Sequence, residues 1–300
     1  LRTDEAALDS LFASGKVFQV HKGKFLFTES LHWLDPALAP EGERYFLGLD
    51  DSGTGYFAIN APFAEDAATT EKLQTLREAG LVATEIEIGA AVHAVALANW
   101  HDTHTHCARC GAHTYSALAG SVRKCRTDDS EHYPRTDSAV IVLVRDKDDR
   151  VLLGRQKVWP AKRYSNFAGF LEPGESLEAC VKREVLEEAG VRISDIEYLG
   201  SQAWPFPASI MLAFTGVVEN PEDARADGEE IEDLRWYSRE KFTADVKSGE
   251  LLIPPGISIA RRMIEAWYGG SIDFPEAWRS ERRTLFQLCR DMRFDKRAKN

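Results

Sequence analysis

The apolar and polar positions along the chain change pattern near residue 100 and again near residue 138. In the first zone, short apolar runs alternate with turn residues, and from 138 onwards buried strands alternate with helices. The predicted strands lie at 17–20, 24–27, 45–49, 56–59, 139–144 and 150–155, with the third and fourth forming a hairpin. The predicted helices lie at 90–100, 175–189, 238–247, 257–268 and 276–294. The pattern predicts an α/β protein with more than one domain.

We divide the chain into four segments. An N-terminal α/β domain is expected at 1–100, and a polar segment rich in Cys and His at 101–132. A second α/β domain is expected at 133–270, followed by a helical tail at 271–300.

Composition narrows the class of protein. Of 300 residues, 44% are hydrophobic and 28% charged, which is typical of a globular chain, and the net charge of −11 argues against a general basic surface for nucleic acid. No run of eighteen apolar residues predicts a membrane span, and five cysteines are too few for a disulfide scaffold. A start at Leu1 leaves room for a removed targeting segment, but the first residues lack a signal-peptide pattern. We expect a cytoplasmic protein.

The helix at 175–189 carries the candidate chemistry. Its apolar stripe continues into Glu184 and Glu188, with Glu187 at the edge. Like charges at this spacing destabilise a helix, and burying them requires either raised carboxylate pKa values or a bound cation. Oxygen ligands of this kind suit Mg²⁺ or Mn²⁺. The alternative is a solvated, Glu-rich helix face.

The residues around this helix resemble the Nudix box. Gly169, five residues, Glu175, seven residues and then the run from Arg183 to Val191 match it at every fixed position. The resemblance covers roughly 138–270 and implies an α/β/α sandwich with a mixed β-sheet. It also implies that Glu184 and Glu188 bind Mg²⁺ or Mn²⁺, whereas Glu187 is a ligand or the general base. We expect Glu175 to pair with Arg183.

A second motif points to one branch of that family. The run 201–209, SQAWPFPAS, is similar to the SQPWPFPxS array of the NADH pyrophosphatases, with Ala203 replacing a proline. The resemblance implies a homodimer that hydrolyses NADH and NAD⁺ to the nicotinamide mononucleotide and AMP. The acidic run 229–232 before Trp236 and Tyr237 resembles the acidic cluster of the same family and implies an additional metal ligand at Glu230, with a charged loop as the alternative. The implied substrate-binding residues are Tyr133, Ala168, Gln202, Ala203, Trp204, Pro205, Phe206, Pro207, Ala208, Ser209 and Ala260. The alternative for the array is an aromatic turn that packs on the core, or a dimer contact.

The cysteine segment resembles the zinc ribbon of the same branch. Cys107 and Cys110 are followed, after fourteen residues, by Cys125, but Asp128 stands where the branch has a fourth cysteine. Three thiolates and a carboxylate could complete a structural Zn²⁺ site. His113, His132 and Asp129 are alternative fourth ligands, and an empty ribbon is a further alternative.

Other functions stay open. The same chemistry could act on ADP-ribose, FAD, dinucleoside polyphosphates or NAD-capped RNA, the last favoured weakly by eight Lys/Arg against three Asp/Glu in 279–299. A non-catalytic nucleotide sensor or a zinc-ribbon nucleic-acid-binding protein is the rival from another class. Segments 172–188 and 219–233 carry net charges of −4 and −7, the whole acidic surplus. We therefore predict activity that a chelator abolishes.

Overall fold

A computed structural model describes residues 1–272, and in it the chain forms two compact units. Unit 1 contains Leu1–Thr136 and Trp204–Ala208, and unit 2 contains Asp137–Ala203 and, within the described part, 209–272. The predicted helix at 276–294, the basic stretch at 279–299 and nearly all of the tail at 271–300 lie outside the described residues. The domain boundaries at 100, 132 and 270 stay predictions.

Unit 1 begins with a five-stranded sheet flanked by helices. Its elements are α1 (Glu5–Ser14), β1 (Lys16–His21), β2 (Lys24–Leu26), β3 (Glu43–Leu49), β4 (Gly55–Asn60), α2 (Ala67–Thr70), β5 (Leu73–Thr75), α3 (Leu76–Ala79) and α4 (Glu85–Thr103). The strand order is β3-β4-β1-β2-β5, with β1 and β4 parallel and the other pairs antiparallel. The sequence predicts the hairpin and the two first strands close to these bounds.

Helices cover both faces of this sheet. The alanine-rich side of α4 packs on Phe18, Phe25 and Tyr45, while α1 packs on the opposite face against Phe46 and Phe57. α4 begins with a capping box, in which Thr84 and Glu87 each bond the other's backbone N–H, and this explains a start five residues before the predicted one.

A small antiparallel sheet completes unit 1. Its strands are β6 (Thr114–Ala117), β7 (Val122–Cys125) and β8 (Glu131–His132), in that order. The buried Arg123 on β7 donates to Thr114 on β6 and to His101 on α4, so the ribbon is joined to the long helix by buried polar contacts.

Unit 2 is a mixed sheet between helices. Its elements are β9 (Asp137–Arg145), β10 (Val151–Gln156), β11 (Phe167–Phe170), α5 (Leu177–Ala189), β12 (Ile193–Trp204), β13 (Ser209–Val218), β14 (Ile231–Tyr237), α6 (Arg239–Ser248) and α7 (Ile259–Tyr268). The strand order is β12-β13-β9-β10-β14, and β11 also pairs with β9. β9 and β13 are parallel, whereas β10 and β11 run antiparallel to β9.

The two faces of the unit 2 sheet are covered by different helices. α5 packs through Cys180, Val181 and Val185 on one face, and α6 and α7 cover the other through residues such as Phe242 and Ile264. This is the expected α/β/α sandwich, and the expected fold class is confirmed. In the described residues, no helix has the length and apolar character needed to cross a membrane.

Candidate active site and metal centres

The helix α5 is fixed at both ends by its sequence. The Ser176 hydroxyl accepts a hydrogen bond from the backbone N–H of Ala179, 3.2 Å away, and caps the N-terminus. Gly190 ends the helix in the left-handed conformation at φ 68°, which glycine adopts without steric cost. The helix therefore spans nearly the predicted residues, and the box glutamates keep their predicted faces.

The last two turns of α5 bury carboxylates. Glu184 is 9% exposed and Glu188 4% exposed, and both follow the apolar stripe that packs on the sheet. Glu187 lies at the edge of this face and is solvent-exposed. The structure thus places the three glutamates as the helical spacing predicts, two inside and one at the rim.

Gly169 makes room for the first of these carboxylates. A Cβ at this position of β11 would lie 1.9–2.1 Å from the carboxylate atoms of Glu184, closer than any side chain can approach. Glycine is needed here because the carboxylate lies directly against the strand backbone. Steric contact with Glu184, rather than turn geometry, therefore explains the glycine at position 169.

Arg183 is surrounded by three glutamates of the box. Its guanidinium donates two bonds of 2.9 Å to the carboxylate of Glu175, as the sequence predicts. The same group donates to Glu184 at 2.8 Å and to Glu187 at 3.1 Å. A bidentate pair of this kind fixes the guanidinium plane, and the pKa of Glu175 is held at about 2 by these bonds.

Within the described residues, Glu188 forms no ion pair with a basic side chain. Burial, followed by the charges of Glu230 and Glu184, raises its pKa to about 8, although the backbone N–H of Ala168 opposes the rise. Its Oε2 atom is buried and has no hydrogen-bond partner in the described part of the chain. Burial also raises the pKa of Glu184, despite the neighbouring Arg183. A buried carboxylate that has one oxygen without a hydrogen bond in the described part of the chain, and that lies next to other carboxylates, offers the ligands that a hard divalent cation prefers.

Glu230 reaches this cluster from the loop before β14. The carboxylate of Asp227 accepts backbone N–H bonds from residues 229, 230 and 231 and shapes the loop. Gln156, at the end of β10, donates from Nε2 to the Glu230 carboxylate at 2.8 Å. Sequence reasoning identified Glu230 but missed Asp227, whose contacts are local to the loop, and Gln156, whose contact depends on the pairing of β10 with β14.

The substrate-binding residues implied for unit 2 lie on four of its elements. Ala168 is on β11, Ser209 begins β13 beside Asp137 of β9, and Ala260 is buried on α7. Gln202 and Ala203 lie near the end of β12.

The Gln202 amide is used within the protein. It donates to the carbonyl of Ile257 at 2.8 Å and accepts from the N–H of Ile259 at 2.7 Å. Gln202 therefore positions the start of the helix that carries Ala260, rather than presenting a free amide.

The run 204–208 belongs to unit 1 and is held by two residues that sequence reasoning missed. Asn99 donates to the carbonyls of Pro205 and Pro207, both at 3.2 Å. The guanidinium of Arg77 lies 5.2 Å from the ring centre of Trp204 and 4.2 Å from that of Phe206. Phe206 also packs against the core of the first unit. Pro205 is buried, Ala208 is half-buried, and Pro207 follows a cis peptide bond.

This arrangement combines the two interpretations of the array. Phe206 is partly a core residue, as the alternative supposed, while Trp204 and Phe206 remain half-exposed. Tyr133 in the same unit is 67% exposed and donates to Glu131 at 3.0 Å. No local signal marks Arg77 or Asn99, because each lies more than a hundred residues before the array.

The ribbon forms a compact candidate metal centre. The ligand atoms of Cys107, Cys110, Cys125 and Asp128 all lie within 4.8 Å of one another. Backbone N–H groups of Arg109 and Thr127 donate to the sulfurs of Cys107 and Cys125 at 3.3 and 3.4 Å. The Ser130 hydroxyl donates to Asp128 at 2.6 Å and lowers its pKa. A hydrogen bond with Ser130 also lowers the pKa of Cys107, to about 6, which favours the thiolate that binds metals.

The other candidate fourth ligands are not part of this group of four. Asp129 is exposed and pairs with Lys124 at 3.9 Å, and the His113 ring lies tilted against that of His106. His132 borders the group, because it hydrogen-bonds Ser130 at 3.2 Å and the Cys107 thiol. The donors present, three sulfurs and a carboxylate oxygen, fit zinc.

Comparison with known proteins places this chain among relatives. The NUDIX domain model matches residues 135–254. The NAD-capped RNA hydrolase NudC of Mycobacterium tuberculosis (strain H37Rv) is 38% identical over 259 residues, covering 83% of this chain and 82% of that protein. The human NAD-capped RNA hydrolase NUDT12 is 35% identical over 195 residues, covering 61% of this chain and 42% of that protein.

Among solved structures, a NUDIX hydrolase from Nitrosomonas europaea is similar with a TM-score of 0.37 and 21% identity, covering 46% of this chain and 79% of that one. The family assignment depends on the sequence relatives and on the complete box on α5. This chain belongs to the Nudix hydrolases, in their NADH pyrophosphatase branch.

Proposed function

We propose that this enzyme hydrolyses the diphosphate of NADH and NAD⁺ to the nicotinamide mononucleotide and AMP, with a divalent cation as cofactor. The observation that carries the proposal is the carboxylate cluster of unit 2, where buried Glu188 keeps an oxygen without a partner next to Glu184 and Glu230. Such a cluster repels a diphosphate unless cations are bound, so metal and substrate bind together.

We assign the cation ligands to Glu184, Glu188 and Glu230, and the ion to Mg²⁺ or Mn²⁺. When bound, the ion supplies neutralisation of the diphosphate oxygens and a lowered pKa for water. The exposed carboxylate of Glu187, oriented by Arg183, is a further ligand or the group that takes the proton from water. All eight histidines precede Tyr133, so carboxylates are the bases that the catalytic domain itself offers.

We assign substrate recognition to the run 203–209 with Tyr133, Ala168 and Ala260, and to Gln202 the positioning of the helix that carries Ala260. The half-exposed rings of Trp204 and Phe206 support stacking on a nicotinamide or adenine ring, and Arg77 fixes their mutual arrangement. Removal of NAD from the 5′ end of RNA is the second candidate function, because NudC and NUDT12 are named NAD-capped RNA hydrolases.

We further propose that the ribbon holds a structural Zn²⁺, that the chain acts as a homodimer, and that it is cytoplasmic. The compact group of three thiols and Asp128 supports zinc. Free thiols in the ribbon are consistent with a reducing compartment. The dimer is an expectation from the family.

Product analysis tests the proposal. NADH, NAD⁺, ADP-ribose and diadenosine polyphosphates are incubated separately with the full chain and Mg²⁺ or Mn²⁺. Release of AMP and the reduced mononucleotide from NADH is the expected result. A clear preference for ADP-ribose would refute the branch-specific substrate. Binding of NADH without AMP release would identify a nucleotide sensor instead.

A further inference from the structure

The segment 155–163, which comprises the last two residues of β10 and the start of the connection to β11 and is called the loop below, has a charge opposite to that of its surroundings. Its nine residues, RQKVWPAKR, include four Lys/Arg and no Asp/Glu. The segments 172–188 and 219–233 in the same unit carry −4 and −7. Most of the surface of an acidic protein repels polyanions. A basic loop beside the acidic catalytic cluster is therefore a candidate binding site for an anionic ligand.

Contacts to β14 and to the loop before it fix this segment next to the proposed metal ligands. Gln156 donates to the carboxylate of Glu230 at 2.8 Å, and Arg155 pairs with Glu232. At the other end, the hydroxyl of Tyr164 donates to Asp233. The loop is therefore anchored at both ends, and its first residues touch the carboxylate cluster.

Of the four Lys and Arg side chains in the loop, two form ion pairs with carboxylates and two have no acidic partner within residues 1–272. Arg155 binds Glu232 and Lys162 binds Glu250 at 2.8 Å. Lys157 is exposed, and neither it nor Arg163 has an acidic partner within residues 1–272. The uncommitted charges therefore remain available to a ligand.

Arg163 and the half-buried Trp159 form a cation–π pair. The guanidinium carbon lies 5.6 Å from the centre of the indole ring, and the Trp159 carbonyl accepts a bond from Arg155 at 3.3 Å. The neighbouring Val158 is 87% exposed. Cations combined with an aromatic ring and an apolar surface are the features that bind single-stranded nucleic acid, through phosphate contacts and base stacking.

We propose that the loop 155–163 binds the RNA chain of an NAD-capped RNA, with Lys157 and Arg163 contacting phosphates downstream of the cap and Trp159 contacting a base. This inference rests on the proposed function, since the cap must occupy the carboxylate site. Free NADH has a single diphosphate, which the cations at the carboxylates neutralise. A capped RNA continues past its adenosine, and its further phosphates can therefore reach the side chains of Lys157 and Arg163.

The test compares two substrates in the full-length protein. The variant Lys157→Ala/Arg163→Ala is assayed with NADH and with an NAD-capped RNA of about twenty nucleotides. The control, Lys147→Ala/Lys247→Ala, removes two exposed lysines of the same unit outside the loop. We expect kcat/KM for the capped RNA to fall about tenfold in the loop variant. We expect its kcat/KM for NADH to change less than about twofold, and the control to follow the wild type on both substrates.

Salt dependence gives an independent readout. Loss of two phosphate contacts should reduce the slope of log kcat/KM against log salt by about 1.4 for the capped RNA, because each contact to a single strand contributes about 0.7. The single variant Lys157→Glu keeps the Arg163–Trp159 pair and should lower activity on capped RNA alone, which guards against misfolding of the double variant.

Each outcome decides between the alternatives. Equal losses on NADH and capped RNA, or no loss on either, would overturn the inference. A wild-type enzyme that cleaves NADH but not capped RNA would also overturn it while leaving the proposed function intact. A wild-type enzyme that cleaves neither would refute the proposed function itself.

Discussion

The two candidate metal centres of this chain are held in opposite ways. In the ribbon, Cys107, Cys125 and Asp128 each accept a hydrogen bond from a nearby backbone N–H or hydroxyl. On α5, Glu188 is buried with one oxygen unbonded, and its neighbours Glu184 and Glu230 add negative charge. Three of the four ribbon ligands thus accept local hydrogen bonds, whereas the carboxylates on α5 lie close to further negative charge.

The comparison shows that a complete sequence motif does not imply that the charges of its residues are neutralised locally. The Nudix box is complete in sequence and still leaves charge uncompensated, as expected of a site whose cation and substrate complete it. The ribbon departs from its motif at Asp128 and is nevertheless compact, because a carboxylate can occupy the place of a thiolate. The carboxylates should therefore control activity, and the ribbon should control stability.

The largest effect is expected from Glu188→Gln, which keeps the shape and removes the charge. We predict that kcat/KM for NADH falls at least about a thousandfold, because cation binding is lost. Without added metal, the midpoint of thermal unfolding at neutral pH should stay the same or rise, since a buried carboxyl whose pKa is raised to about 8 destabilises the folded state above its ordinary pKa. Steady-state kinetics and calorimetry check both. Glu178→Gln, an exposed position on the same helix, is the control; full activity in Glu188→Gln would contradict the metal-site assignment.

A somewhat smaller effect is expected from Gly169→Ala. The new methyl group would lie about 2 Å from the Glu184 carboxylate and displace it. We predict a loss of kcat/KM of about 10- to 100-fold, because small displacements in a catalytic site are costly. The control is Gly270→Ala, where a Cβ meets no atom within 4 Å. Equal activity of the two variants would show that Glu184 need not lie against β11.

A more modest effect is expected from Arg77→Ala in unit 1. Loss of the two cation–π contacts frees the rings of Trp204 and Phe206, and we predict a KM for NADH raised about three- to tenfold with kcat nearly unchanged. Arg44→Ala removes the cation lying 5.0 Å from the Phe12 ring of the same unit and serves as the control. A fall in kcat without a change in KM would argue against ring positioning.

The smallest effect on activity is expected from Asp128→Cys. Four thiolates should hold zinc at least about tenfold more tightly than three thiolates and a carboxylate, while activity on NADH stays within about twofold. Zinc content after dialysis against graded chelator is the measurement. Asp129→Cys places a thiol at the exposed neighbouring position and should not increase zinc retention. Equal zinc retention in both variants would exclude Asp128 as the fourth ligand.

Much of the catalytic helix was predictable from the sequence because its determinants are local. Ser176, the pair of Glu175 with Arg183, and Gly190 act within one turn or one loop of α5. The spacing of the glutamates fixes which of them face the sheet.

The rest depends on contacts between distant parts of the chain. The strand β12 was not assigned, because polar residues and Gly200 interrupt the apolar alternation of 193–204. Tertiary packing alone explains why the Gln202 amide bonds the backbone of residues 257 and 259. The same holds for the contacts of Arg77 and Asn99 with the array.

The central claim is that the carboxylate cluster makes this chain a metal-dependent NAD(H) diphosphatase. The most direct measurement is the release of AMP and the reduced nicotinamide mononucleotide from NADH, followed in Mg²⁺ or Mn²⁺, after addition of excess chelator, and after restoration of the metal. We predict that both products form in equal amounts, that the chelator abolishes their release and that the metal restores it. Turnover that persists in the chelator, or NADH that stays intact when metal is present, would contradict the account.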